Sequence, residues 1–114
     1  MIKAVIIDDE KNCVESLQLK LLKHFSNVEI VATANSAASG YDRINAHKPD
    51  LVFLDIEMPG GDAFDLLKKF DTLFFEIIFT TAYNTYALKA LKLSALDYLL
   101  KPIDTNELKI AIEK

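Results

Sequence analysis

What is scarce in this chain narrows its class. There is one cysteine, Cys13, so no internal disulfide can form, and this usage is compatible with a reducing cytoplasm. Apolar runs are short and broken by charge, so no segment is expected to span a membrane. The chain enters an apolar stretch directly after Met1, with no basic n-region and no small-residue cleavage site, and a cytoplasmic location is expected. No Gly/Ser linker or low-complexity tract divides residues 1–114, so one domain is expected. Basic residues are outnumbered, 13 against 17, for a net charge of −4, which argues against broad nucleic-acid binding by this domain alone. Hydrophobic residues are plentiful, at 51% of 114: enough for one core and too many for a disordered segment.

Two kinds of apolar segment alternate along the chain. Short continuous runs at Ile2–Ile7, Val28–Ala34, Leu51–Leu54, Glu76–Thr80 and Leu96–Leu100 predict strands, and their lack of strict polar alternation predicts parallel strands buried on both faces. Between them, Val14, Leu17, Leu21 and Phe25, then Ala37, Tyr41 and Ile44, then Ala63, Leu66, Leu67 and Phe70, recur at helical spacing. A shorter stripe, Ala87, Ala90 and Leu91, precedes the fifth strand. The last helix has Asp104 as N-cap, Glu107 at its third position, Ile103 placed to staple onto Leu108, and an inner face of Leu108, Ala111 and Ile112. The order βαβαβαβαβα predicts a flavodoxin-like, doubly wound (βα)5 fold with a five-stranded parallel sheet in the order 2-1-3-4-5. Its switch point lies between strands one and three, where ligands bind at the carboxyl ends.

Charged residues stand at those ends. The first strand runs into Asp8-Asp9-Glu10, the third into Asp55, and the fifth delivers Lys101 before Pro102. Three carboxylates gathered at one rim repel one another unless a cation intervenes, and a hard divalent ion such as Mg²⁺ suits oxygen ligands with room for water and phosphate. Asp8 and Asp9 would be ligands. Asp55 would give one oxygen to the ion and keep the other as a nucleophile able to form an acyl phosphate. Lys101 offers a compact charge to one phosphate oxygen, and Thr81, just past the fourth strand, offers a hydroxyl to another. The Pro59-Gly60-Gly61 turn lets the chain leave the site before the third helix.

Together Asp8-Asp9-Glu10, Asp55-Ile56-Glu57-Met58-Pro59-Gly60, Thr80-Thr81-Ala82 and Lys101-Pro102 resemble a response-regulator receiver domain, the phosphoacceptor half of bacterial two-component systems. The resemblance covers the whole chain. It implies that a sensor histidine kinase phosphorylates Asp55, that Asp8, Asp9 and the backbone carbonyl of Glu57 join Asp55 around Mg²⁺, that Thr81 and Tyr98 are the switch residues, that Lys101 pairs with the phosphoryl group, and that the Lys101–Pro102 peptide is cis. The segments Phe79–Tyr83 and Ala95–Pro102 are similar, more narrowly, to LytTR-type regulators. That likeness implies a C-terminal DNA-binding output domain absent from this chain. Phosphorylation would reshape the surface of the fourth helix, fifth strand and fifth helix, which would then form a homodimer or release an output domain. Residues two beyond the phosphoacceptor and two beyond the switch threonine, here Glu57 and Tyr83, would set phosphoryl lifetime.

Plainer readings exist for each residue. Asp55 can cap the turn before the third helix, Asp8-Asp9-Glu10 can serve the dipole of the first helix, Lys101 can be a solvated lysine, and Tyr98 can be core on an edge strand. Thr80 competes with Thr81, which the family pattern favours because Ala82 follows it. His24 and His47 read as surface residues at helix ends without zinc spacing, Cys13 as a helix-face residue, and Met58 as a loop residue. A rival function is a small Asp-nucleophile phosphatase or phosphotransferase. In haloacid-dehalogenase enzymes, however, the nucleophile ends strand one in an Asp-x-Asp pattern. A flavin-binding fold is disfavoured because no phosphate loop follows strand one.

Overall fold

A computed structural model describes residues 1–82 and 95–114. The elements are β1 (Ile2–Ile7), α1 (Lys11–His24), β2 (Val28–Ala34), α2 (Ala37–His47), β3 (Leu51–Asp55), α3 (Ala63–Leu67), β4 (Glu76–Thr81), β5 (Asp97–Leu100) and a C-terminal helix (Thr105–Glu113). All strand pairs are parallel, in the order β2-β1-β3-β4-β5, as the alternating pattern predicts. The Ala87, Ala90 and Leu91 stripe lies outside the described residues.

Strand alternation sorts the core into two halves. Val5, Ile7, Val52, Leu54, Ile77 and Phe79 pack with α2 and α3 through Ile44, Phe64 and Leu66. Ala4, Ile6, Phe53, Ile78 and Leu99 pack with α1 and the C-terminal helix through Leu17, Leu21, Leu108 and Ala111. Successive side chains of a strand point to opposite faces, so continuous apolar strands require helices on both sides.

The boundaries differ from the sequence reading in instructive ways. Asp55 and Thr81 are the last residues of their strands rather than the first beyond them, and β5 begins at Asp97, although the Leu96 amide still donates to the Ile77 carbonyl at 2.7 Å. The α1 N-cap is Glu10, whose side chain makes no capping bond; the acidic cluster there is turned to another use. Asp104 does cap its helix, accepting from the Glu107 amide at 3.0 Å. The complete capping box is at Asp62 and Asp65, whose carboxylates each accept from the other's amide, at 2.9 and 3.0 Å. With α3 ending at Leu67, Phe70 lies beyond the helix and packs its ring 4.9 Å from Tyr41 and 5.3 Å from Phe75.

Gly40 lies where α2 crosses β1. A Cβ built there would stand 2.7 Å from Ile7 Cδ1 and 3.1 Å from Cγ2, and Ile7 is fully buried. Alanine gains about 0.8–1.0 kcal/mol in helix propensity, but overpacking a filled core costs about 1–3 kcal/mol. The branched Cγ2 cannot rotate clear, so the steric term wins. Gly40→Ala is expected to lower the urea midpoint at unchanged m-value, and a midpoint equal to or above the parent's would show that Ile7 yields freely.

Candidate acidic site at the strand ends

Parallel register builds the site. Ile7 pairs with Leu54 across β1 and β3, so the next residues, Asp8 and Asp55, emerge side by side at the same rim. Asp9 follows on the β1–α1 turn. One carboxylate oxygen from each of Asp8, Asp9 and Asp55 lies within 4.8 Å of the others. Asp8 and Asp55 are buried while Asp9 is exposed, so the cluster is open on one side. Asp8 Oδ1 accepts from the Glu10 amide at 2.9 Å, which fixes the carboxylate and orients the turn into α1.

Lys101 enters from the end of β5. Its amide donates to the Thr81 carbonyl at 2.7 Å, which anchors the segment to β4, and the Lys101–Pro102 peptide is cis. Lys101 Nζ lies 2.9 Å from Asp8 Oδ2 and 3.5 Å from Asp55 Oδ1. Sequence reasoning gave this lysine to a phosphate oxygen and did not foresee that its shorter contact is with Asp8. Burial alone would lower the Lys101 ammonium, but the hydrogen bond to Asp8 and the charge of Asp55 outweigh it and hold the group above its ordinary range. Asp55 moves the other way. Burial, then the charge of Asp8, outweigh the attraction of Lys101, and with Asp9 alongside they push Asp55 up to about 7. Among the described residues, the three clustered carboxylates form ion pairs with Lys101 alone, through Asp8 and Asp55, which leaves the cluster short of positive charge.

Other expected residues are near the same rim. Thr81 is buried at the end of β4, one residue beyond the register pair Asp55 and Thr80. Tyr98 is paired in register with Phe79 and packs, partly buried, on the core half that contains it. Thr80 belongs to the opposite face, so alternation separates the two threonines that the sequence placed in competition. Glu57 is an exposed loop residue, followed by buried Met58 and by Gly60 at φ 83°. That left-handed conformation suits glycine, and the Ala63 amide bonds the Ile56 carbonyl at 2.9 Å to close the loop. Tyr83 lies outside the described residues. His24 and His47 end α1 and α2 and are exposed. Among the described residues, no helix is long and apolar enough to cross a membrane.

Residues 4–113 match the family model of the response regulator receiver domain. The chain belongs to that family. An uncharacterized response regulatory protein of Vibrio cholerae is 42% identical to this receiver domain over 115 residues, covering 100% of the chain and 48% of the relative. The sensory transduction protein LytT of Bacillus subtilis is 36% identical over 116 residues, covering 100% and 48%, in keeping with the LytTR-type likeness. In three dimensions, the REC domain of AraT, a response regulator from Geobacillus stearothermophilus, superposes with a TM-score of 0.87 at 30% identity, covering 98% of this chain and 91% of that one. The receiver domain spans about half the length of the curated relatives it matches. It is a signalling domain by family, and no enzyme family is indicated.

Proposed function

We propose that this receiver domain is a phosphoacceptor for a sensor histidine kinase, with Asp55 as the residue phosphorylated. The observation that carries the reading is the convergence of Asp8, Asp9 and Asp55 on one point, with Lys101 bridging Asp8 and Asp55. An all-oxygen donor set with excess negative charge fits Mg²⁺. Asp8, Asp9, Asp55 and the backbone carbonyl of Glu57 would hold it. When bound, the ion neutralises the developing charge on the equatorial phosphoryl oxygens.

The chain's own groups do the rest. The Asp55 oxygen not committed to the cation attacks phosphorus in line. The new O–P bond forms as the N–P bond of the phosphohistidine breaks, and the electron pair returns to the imidazole nitrogen. Lys101 Nζ, already beside Asp55, transfers its donors to a phosphoryl oxygen. The Thr81 hydroxyl takes a second oxygen, and Tyr98 follows it inward. That movement reshapes the surface of the predicted fourth helix, β5 and the C-terminal helix, which then forms a homodimer and controls a DNA-binding output domain of LytTR type in transcription regulation. Slow loss of the phosphoryl group to water resets the switch in the cytoplasm.

The test is incubation with acetyl phosphate, with and without Mg²⁺, read by intact mass and sedimentation. One phosphoryl group per chain is expected only with Mg²⁺, together with a shift toward dimer. Uptake unaffected by chelator removes the cation from the account. Many turnovers of a generic phosphate ester per chain would instead favour the small Asp-nucleophile phosphatase.

A further inference from the structure

The outer face of α1 carries apolar side chains that the fold leaves uncovered. Leu17 and Leu21 turn into the core, whereas Leu19 and Leu22 are 66% and 82% exposed. At about 100° per residue, Leu19 points away from the buried pair and Leu22 lies beside it one turn on. A single exposed leucine is ordinary; two adjoining ones form a patch that gains by leaving water. The charges around the patch are ordered. Glu15, Leu19 and Lys23 follow one another at i, i+4 spacing and form one row along the helix. That row is symmetric in position about Leu19 and opposite in charge at its two ends. Glu15 also has Lys11 at 3.9 Å, but the two side chains are 56% and 88% exposed, and so wet a contact does not commit the carboxylate.

We propose that this face of α1 binds a second copy of the same chain, with the two α1 helices packed antiparallel across a two-fold axis at Leu19. A two-fold interface must be complementary to itself, and this row is. Laid antiparallel, Leu19 meets its own equivalent and Leu22 faces Ser16. Glu15 of each copy faces Lys23 of the other, so two ion pairs flank the leucines. Laid parallel, the same row would set Glu15 on Glu15 and Lys23 on Lys23, so charge selects the orientation while leucine burial supplies the attraction. A helix of 14 residues is about 21 Å long, and one helix pair buries less than the ~1,200 Å² of a stable complex, so the dimer is weak and reversible. The pairing uses neither β5 nor the C-terminal helix and needs no phosphoryl group.

The test is sedimentation equilibrium of the full chain up to about 0.5 mM, where a Kd on the order of 100 µM is expected. It is run without Mg²⁺ or phosphodonor, so its failure is distinct from failure of phosphorylation at Asp55. Glu15→Lys and Lys23→Glu, each alone, should weaken the dimer about tenfold or more, because each sets like charges opposite one another. An equimolar mixture of the two variants should recover it as a heterodimer, since one chain then offers only cations along the row and the other only carboxylates. Residues 15 and 23 are about 12 Å apart along one helix, so recovery cannot come from within a chain. Leu22→Ser, at a surface position, should weaken self-association with little change in melting temperature. A parent chain that stays monomeric throughout would overturn the proposal and leave the leucines to another partner. Charge reversals without effect, or a mixture that does not recover, would overturn it as well.

Discussion

Asp55→Asn is expected to accept no phosphoryl group from acetyl phosphate and, at pH 8 without divalent cation, to melt roughly 5–10 °C above the parent protein. Loss of uptake follows because an amide oxygen is a poor nucleophile and the neutral side chain no longer draws a cation. The gain in stability comes from the same chemistry read backwards. Burial and the Asp8 charge raise Asp55 to about 7, so above that pH the folded protein confines a charge it would shed if it could. The amide is nearly isosteric, removes that charge and leaves the 2.9 Å pair between Lys101 and Asp8 intact. The value of about 7 already includes the attraction of Lys101, and the relief, reduced by the partial solvent access of the pocket, is on the order of 2 kcal/mol. Intact mass and thermal melts with and without Mg²⁺ measure both effects. A variant that melts below the parent under these conditions would mean that Asp55 stabilises the fold through Lys101, and that the acids do not repel as described. Functional residues that destabilise their own scaffold are a common trade.

The second large effect is on pH. Asp55 is raised in the folded state, so the native protein binds an extra proton between the ordinary carboxylate range and about 7. Where the native state holds more protons than the unfolded chain, stability falls as pH rises. Without divalent cation the fold should therefore lose stability from about pH 4 toward pH 7 on account of this group, and the loss should level off above it. Cation binding runs in the opposite sense, because the ion must displace the proton. The apparent Mg²⁺ affinity should rise by up to about tenfold per pH unit below 7 and flatten above, so that binding at pH 6 is about tenfold weaker than at pH 8. Isothermal titration at the two values decides the matter, and an affinity that does not change between them would remove Asp55 from the ion's ligands.

Much of this arrangement was legible in the residue order. Parallel strands were legible because Val5–Ile7, Leu51–Leu54 and Ile77–Phe79 are apolar at successive positions, which only a doubly covered sheet tolerates. Once the order was set, Asp8 and Asp55 had to meet, since they follow paired strands. Asp104 announced its helix because an N-cap is a local event between near neighbours. The features that escaped are those decided by long-range geometry. The preference of Lys101 for Asp8 over Asp55 depends on how the ammonium settles between two strand ends, which spacing does not encode. The end of α3 at Leu67 goes with Phe70 packing on Tyr41 of α2 and on Phe75, just before β4. The separation of Thr80 from Thr81 follows from alternation, but only a fixed strand end reveals which of them faces the helices of each layer. The Asp62–Asp65 capping box is a local signal too, but it uses Asp at the third helical position, where Glu or Gln is the usual partner.

The position of β1 in the sheet has a consequence for synthesis. Its two hydrogen-bonding neighbours are β2 and β3, and the latter contributes Leu51 to Leu54 to the pairing. A nascent chain that has left the ribosome only as far as α2 therefore carries an apolar ribbon with one bare flank. The second flank of β1 is covered only when β3 has been added, some fifty residues after β1 itself, at roughly 5–20 residues per second. For those seconds the earliest part of this protein to be made is a natural client for chaperones.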